Sequence, residues 1–189
     1  MRTRVLSALA MLLVVVTCAA WADGFDPNKK IDRSQMGNPG DYAAANVPAG
    51  WQDLGPTPQR GELLHCVSHV IDKDHATQAR INIHVAPNTM GVTPDNIKNP
   101  EGFFPAAKMQ QFEKDHFVAT HFTLGGNNPG LRVDLETKEG RHNVQAFVLL
   151  TDSNRLLVFS GSAPIPEWPK YQAAIEGCLN NIEVKAKRQ

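Results

Sequence analysis

The sequence predicts an α+β fold in which two α-helices flank an antiparallel β-sheet built from an N-terminal hairpin and a C-terminal meander. Apolar and polar residues alternate with period two in residues 62–85 and again in residues 131–146, a pattern typical of strands with one buried face. Apolar residues recur instead at helical spacing in residues 105–117 and 168–182, which predicts two amphipathic helices.

Residues 1–22 have the layout of a secretory signal peptide. Arg2 and Arg4 precede an almost unbroken apolar run, residues 5–16, and an Ala-Trp-Ala triplet that ends at Ala22 supplies a cleavage site. A dozen apolar residues are too few to span a bilayer. We therefore expect cleavage near Ala22, a periplasmic or secreted protein, and a mature chain of 189 − 22 = 167 residues.

Cys18 offers an alternative to simple cleavage, namely the acylated cysteine of a bacterial lipoprotein. Val15 and Val16 precede it as such a site requires, but Thr17 is a poor fit to the small residue expected just before the cysteine. The Ala-Trp-Ala site explains the segment better, so we expect no lipid anchor.

Charge and length limit what the exported part can be. The signal holds two of the 19 basic residues and no acidic residue, so the mature net charge is 17 − 19 = −2 with histidine neutral. No basic stripe remains to attract nucleic acid, and no later apolar run is long enough to cross a membrane. The mature length fits one domain with a real core.

Residues 23–50 are predicted to form a flexible N-terminal arm, ahead of a single globular domain in residues 51–189. Gly, Pro, Asn and Asp are dense in this stretch and oppose long helices or strands. Trp51 is then the first residue expected in the core.

Apolar and polar side chains alternate in residues 62–71 and again in residues 80–85, on either side of the polar residues 72–77. This pattern predicts a β-hairpin. If Asp72 pairs with Thr77, apolar side chains meet apolar side chains on one face of the hairpin. The facing pairs are Cys66 with Ile83 and Leu64 with Val85.

Residues 86–104 form a connection too long to be routine, and loops of this length are often functional. The predicted helix in residues 105–117 follows, and then a strand that starts near Val118.

In the meander, we expect Leu135, Val133 and Leu131 to lie opposite Val144, Ala146 and Val148. Residues 147–150 carry apolar side chains on both faces. A strand of that kind is covered on both sides, so we expect helices or loops on each face of the sheet.

Cys66 and Cys178 are the cysteines of the exported part, and two cysteines in an oxidising compartment most often form a disulfide. Cys178 belongs to the apolar stripe of the last helix, which must pack on the sheet face that carries Cys66. The alternative is two buried free thiols, which the apolar neighbours of both residues also permit.

The order of these elements resembles the fold of the photosystem II accessory protein PsbP and of bacterial DcrB-like envelope proteins. The segments that carry the resemblance are residues 131–162, the run Leu-Val-Phe-Ser-Gly-Ser-Ala-Pro that ends at Pro164, and the helix in residues 167–184. This resemblance implies a PsbP-like fold and a non-catalytic module that binds proteins or assists assemblies.

The predicted hairpin register places His65 directly opposite His84. Cβ atoms of such pairs lie about 4.5–5.5 Å apart, close enough for two imidazoles to share a metal ion, and His121, His142 or Met90 would supply a third ligand. In an oxidising envelope this set suits copper or zinc. The alternative is that both histidines lie on the polar face of a half-solvated hairpin, since no metal-binding spacing motif is present.

Met90, Phe103 and Phe104 lie in the long connection, where apolar residues are otherwise sparse. Exposed apolar clusters mark interaction sites, so these residues are candidates for partner binding. The alternative is that they cover an edge of the core.

The sequence offers no convincing catalytic residues. Asp134 and Glu136 share a strand face, as paired carboxylates of a glycosidase would, but alternation with leucine and valine explains them as a solvated face. No nucleophile motif is present. We therefore expect a non-enzymatic, cofactor-free protein that binds another envelope protein, in one version an immunity protein against a toxin delivered to the periplasm. The alternative is a protein that handles copper or zinc through His65 and His84.

Overall fold

A seven-stranded, fully antiparallel sheet is the framework of the structure, with the strand order β2-β3-β4-β8-β7-β6-β5. The computed structural model describes residues 35–69, 78–99, 101, 104, 109–110 and 117–186, all of which belong to one unit, Asp32–Gln189. Its strands are β1 (Ala43–Ala44), β2 (Gln52–Asp53), β3 (Glu62–Val67), β4 (Arg80–Pro87), β5 (Val118–Leu124), β6 (Asn128–Glu136), β7 (Arg141–Leu150), β8 (Arg155–Pro164) and β9 (Glu183–Val184).

The predicted hairpin is β3–β4 and the predicted meander is β6–β7–β8. They join because β4 pairs with β8 along its whole length, from Arg80 opposite Ser162 to Pro87 opposite Arg155. The β6–β7 connection turns at Gly140, whose φ of 75° lies in the left-handed region that glycine adopts without strain. The predicted antiparallel sheet is thus confirmed, with β8 as the strand that unites its two parts.

One face of the sheet is covered by helix α1 (Trp168–Asn180). The apolar stripe predicted for this helix is buried as expected, and it packs on side chains of β3, β4, β7 and β8 in one core cluster. The helical members of the cluster are Tyr171, Ile175, Cys178 and Leu179.

The long connection after β4 covers part of the opposite face. Val92, Ile97 and Phe104 are buried, and Phe104 makes an edge-to-face contact with Phe147 of β7, with ring centroids 5.1 Å apart. This explains why β7 is apolar on both sides, as the sequence predicted. Of the second predicted helix, residues 105–117, the structure describes Met109 and Gln110 as helical and Phe117 as outside a helix. The rest lies outside the described residues.

The hairpin register differs from the predicted one by two residues. Cys66 pairs with Ile81 rather than Ile83, and a bulge at Leu63 shifts the pairing again, so that Glu62 lies opposite His84. A shift of two residues keeps every side chain on its predicted face. The alternation therefore defined the faces correctly, whereas the turn that sets the exact pairing was misplaced.

The meander register differs by one residue. Leu135 lies opposite Asn143 rather than Val144, because the turn holds four residues, with Thr137 N–H donating to the Arg141 carbonyl. Consequently the leucine and valine side chains of β6 face away from α1, whereas Arg132 and Asp134 lie on the helix side.

The described part of the predicted arm, residues 35–50, is docked on the domain. β1 pairs with β9, and the Arg155 guanidinium donates to the carbonyls of Met36 at 2.6 Å and Gln35 at 2.8 Å. Met36 and Ala43 are buried. Apolar residues between the Gly and Pro positions thus bury against the domain that was predicted to begin at residue 51, without forming long elements. The predicted signal peptide lies outside the described residues.

No helix in the described parts of the chain combines the length and the apolar character needed to cross a membrane.

Candidate functional site

Strand β5 forms one edge of the large sheet and pairs, among the described residues, with β6 alone. Its seven residues contain no Asp, Glu, Lys, Arg, Gly or Pro, and its pairing with β6 runs without a bulge from Val118 to Leu124. Alternate residues of such a strand direct their N–H and C=O groups away from the sheet. β5 therefore presents backbone groups that an added strand can bind.

The side chains of β5 also favour contact with another molecule. Val118 is 61% exposed, which makes it the most exposed large apolar side chain of the described residues. Thr120, His121 and Thr123 are exposed as well, whereas Leu124 is buried. Proteins usually protect long edge strands with charges, prolines or bulges, and β5 has none of these protections.

A small cleft of ≈ 260 Å³ straddles the edge at the end of β5. Lys98 of the long connection contributes the charged group, and Phe122 packs over Gly130 of β6. The other lining residues are His121, Thr123 and Pro129. The edge thus combines backbone groups that no second strand binds within the described part of the chain, an apolar wall and one cation in the same place.

Behind the edge, Arg132 of β6 fixes the sheet to the helix. It donates to both carboxylate oxygens of Asp134 at 2.7 Å and to Glu176 of α1 at 2.9 Å. The hydrogen bond from Arg132 is the largest cause that holds the pKa of Glu176 below its usual value. His142 stacks on Trp168, with ring centroids 3.9 Å apart. These contacts tie β6 and β7 to α1.

A larger groove of ≈ 850 Å³ lies between residues 46–49 and α1. Its helical wall consists mainly of small side chains, Ala173, Ala174 and Gly177, and Glu183 is its charged lining residue. Such a shallow surface offers little to hold a ligand, so size alone does not make it the functional site.

The two histidines predicted as metal ligands are not directly opposite each other. His65 pairs with Asn82, and His84 pairs with Glu62, whose carboxylate lies 3.6 Å from Nδ1 of His65. Burial lowers the pKa of His84, an effect that Glu62 partly opposes. Within the described residues, no three His, Cys, Asp or Glu side chains are placed to hold a metal ion. Metal binding by these two histidines stays a prediction.

Cys66 and Cys178 are free thiols, and both are buried in the core cluster between β3 and α1. Burial, and then the nearby Cys178, raises the pKa of Cys66 to about 12, and burial raises the pKa of Cys178 to about 11. The predicted packing of the last helix over the first long strand is confirmed. The predicted disulfide is not formed in this structure, which instead has the two buried thiols that the sequence left as the alternative.

The three residues predicted for partner binding have different outcomes. Phe104 is 5% exposed, so its ring belongs to the core and is not available to a partner. Met90 is half-buried, and Phe103 lies outside the described residues. Sequence reasoning found β5 as a strand but not as an edge, because the edge follows from the pairing of β4 with β8, which no local pattern indicates.

No family model matches the chain, and no curated protein matches it. Among solved structures it is similar to LpqN, involved in cell envelope biogenesis of Mycobacterium tuberculosis, at 15% identity and a TM-score of 0.46, over 76% of this chain and 83% of that one. It is similar to PA94 from Pseudomonas aeruginosa, a protein of unknown function and putative regulator, at 13% identity and a TM-score of 0.40, over 74% and 95%.

It is also similar to cyanobacterial PsbP (CyanoP) from Synechocystis sp. PCC 6803, at 11% identity and a TM-score of 0.42, over 77% of this chain and 88% of that one. At these identities the likeness concerns the course of the chain and not an activity. The resemblance to PsbP that the sequence predicted is confirmed in that sense.

Proposed function

We propose that this chain is a non-catalytic binding protein of the cell envelope that recognises an extended segment of another protein by strand addition at β5. The observation that carries the proposal is the β5 edge, which has no second strand partner among the described residues and runs for seven residues without charge, proline or bulge. In strand addition, main-chain hydrogen bonds supply affinity and alternate side-chain pockets supply specificity.

The surroundings of β5 support this mode of binding. The cleft beside it offers Lys98 to an acidic group and the ring of Phe122 to an apolar side chain of the added strand. Arg132 ties β6, the strand that pairs with β5, to α1, and a preformed edge lowers the ordering cost that binding must overcome. An immunity protein that captures a strand of a toxin is one specific form of this function.

Chemistry elsewhere in the described residues favours binding over catalysis. The reactive form of cysteine is the thiolate, and both cysteines are buried with raised pKa values. Arg132 donates to both carboxylate oxygens of Asp134 in a bidentate ion pair. Buried thiols and an ion-paired carboxylate of this kind stabilise the fold and are poor nucleophiles or general bases.

A photo-crosslinking experiment tests the proposal. A benzophenone amino acid replaces Val118 on β5 in the exporting organism. The matched control replaces Leu54, which is also large, apolar and strongly exposed, at 46%. Leu54 follows β2 at the opposite edge of the sheet. We expect a heterologous protein adduct from position 118, identified by mass spectrometry, and none from position 54.

Proline substitutions at two adjacent residues add a backbone test. Of Thr120→Pro and His121→Pro, one removes an N–H that faces β6 and the other an N–H that faces outward. The variant that keeps the wild-type melting temperature should lose the adduct at position 118. Adducts from both edges, or an adduct of the chain with a second copy of itself, would contradict the proposal.

A further inference from the structure

Strand β5 separates two different surfaces, because its side chains point alternately to the two faces of the sheet. Phe122 lies opposite Gly130 of β6, which in turn lies opposite Val148 of β7. Val148 belongs to the core cluster that α1 covers, so the side chain of Phe122 is on the α1 face, together with those of Val118 and Thr120. The side chains of the intervening residues are on the opposite face, which we call the far face: Ala119, His121 and Thr123.

The α1 face of β5 is apolar at both ends. Val118 is 61% exposed, and Thr120 beside it is exposed as well. Phe122 is half-buried, and a Cβ atom added at Gly130 would overlap its ring, so the ring lies directly over the glycine. A strand added on this face would therefore meet an apolar side chain at Val118 and another at Phe122.

The far face of β5 carries a cation and hydrogen-bond donors. Ile97 is fully buried and anchors a single turn of 3-10 helix, Asn96–Lys98, against β6. Lys98 is exposed and lines the small cleft together with His121 and Thr123. Among the described residues, the lining of this cleft includes no carboxylate. Because even a neutral imidazole donates from one ring nitrogen, a side chain added here would meet donors and a positive charge.

An added strand would contact both faces at once. Its own side chains alternate between the two faces, and directly paired side chains of adjacent strands lie about 4.5–5.5 Å apart. Aromatic side chains pair favourably with β-branched ones and opposite charges pair favourably with each other, whereas like charges destabilise the pairing. The two faces of β5 therefore favour one pattern of residues in the added strand over others.

We propose that the strand added at β5 alternates apolar and acidic residues, with its apolar side chains against Val118 and Phe122 and its acidic ones against Lys98 and His121. This inference rests on the proposed strand addition and names the class of segment that the edge selects. The competing explanation is an edge that binds any extended segment through main-chain hydrogen bonds alone. The two explanations differ in what the charge of Lys98 does.

Selection from a phage library of random nine-residue peptides measures the preference. The immobilised protein is the whole exported chain, as wild type, as Lys98→Glu and as the matched control Lys138→Glu, which reverses the same charge at an exposed position between β6 and β7. We expect wild type and Lys138→Glu to enrich the same alternation of apolar and acidic residues. Lys98→Glu should enrich basic residues in place of the acidic ones.

A charge swap then tests the contact with Lys98 itself. Fluorescence anisotropy gives the dissociation constant of the most enriched peptide, which should be about three- to tenfold larger for Lys98→Glu than for wild type. Replacing the acidic residues of that peptide by lysine should weaken its binding to wild type and restore binding to Lys98→Glu. Lys138→Glu should bind both peptides as wild type does.

A benzophenone at one end of the enriched peptide maps where it binds. Adducts on β5 from peptides without the alternation, or with equal dissociation constants for wild type and Lys98→Glu, would overturn this inference and leave strand addition standing. Adducts on α1 or on the opposite edge of the sheet would overturn both. A selection that enriches no peptide would overturn this inference, and the crosslink from Val118 would then decide strand addition alone.

Discussion

Ile175 of α1 packs on Gly161 of β8 so closely that a Cβ atom added at the glycine would overlap Cγ2 of Ile175. Gly161→Ala should therefore force the helix away from the sheet and lower the free energy of unfolding by about 1–3 kcal/mol, the usual cost of overpacking a core. Urea unfolding monitored by tryptophan fluorescence measures the change.

Gly177 on the same helix is the matched control for that substitution. A Cβ atom there would meet nothing within 4 Å, so Gly177→Ala should raise the free energy of unfolding by about 0.5–1 kcal/mol through helix propensity alone. Equal effects of the two alanines would show that α1 does not pack on β8 as described.

The ion pair between Arg132 and Glu176 joins β6 to α1 near the surface. Glu176→Gln should cost at most about 1 kcal/mol at neutral pH, because both side chains are partly solvated. The lowered pKa of Glu176 means that wild type gains this stability above the unfolded value near 4.5 and loses it as the pH falls further. The difference in free energy of unfolding between wild type and Glu176→Gln should therefore shrink as the pH falls below about 4.5.

Glu167→Gln serves as the control for that ion pair. Glu167 lies 3.7 Å from Lys170, and both side chains are largely exposed, so its loss should leave the urea midpoint unchanged within error. An equal loss in both variants would contradict a specific role for the contact between β6 and α1.

Local patterns predicted the faces of the β3–β4 hairpin but not the registers of the sheet. Alternation at Leu64 and Cys66 put the correct side chains in the core, yet it is satisfied equally by any shift of two residues, and the bulge at Leu63 leaves no signature of its own. In the meander, the four-residue turn shifted the pairing by one residue. Turn geometry sets the register of paired strands, and the amino-acid composition of a turn gives little information about that geometry.

The candidate site depends on contacts that are distant in sequence. Lys98 and His121 line one cleft because the connection after β4 packs on β6 beside the edge. The edge position of β5 likewise follows from strand order. No window of sequence contains either relationship, whereas the buried stripe of α1 lies within one window and was predicted correctly.

The disulfide between Cys66 and Cys178 remains a prediction for exported protein. The two thiols share one core cluster, and a bridge would close a loop of more than a hundred residues, worth at most about 4–5 kcal/mol in the chain-entropy model. Mass spectrometry without reductant should find the exported chain two hydrogen atoms lighter than the reduced chain.

The reduced protein provides the internal comparison. Because the pKa of Cys66 is raised to about 12 and that of Cys178 to about 11, both thiols should resist alkylation near neutral pH until the chain unfolds. Alkylation of both cysteines in native exported protein would exclude the bridge and the close packing of α1 on β3 together.

His84 should make the fold less stable in mild acid. Burial lowers its pKa below the ordinary value of 6.5, so the unfolded chain binds a proton more readily than the folded one. The stabilising effect is complete above about pH 6.5 and is lost as the pH falls towards the lowered pKa, with a slope of at most about 1.4 kcal/mol per pH unit.

His84→Gln cannot titrate, so its free energy of unfolding should depend less on pH between 7.5 and 5.5, as measured by urea titration. His65→Gln is the control, because its side chain is 33% exposed and lies beside the same Glu62. A pH dependence that is the same in wild type and His84→Gln would show that His84 is not buried in its neutral form.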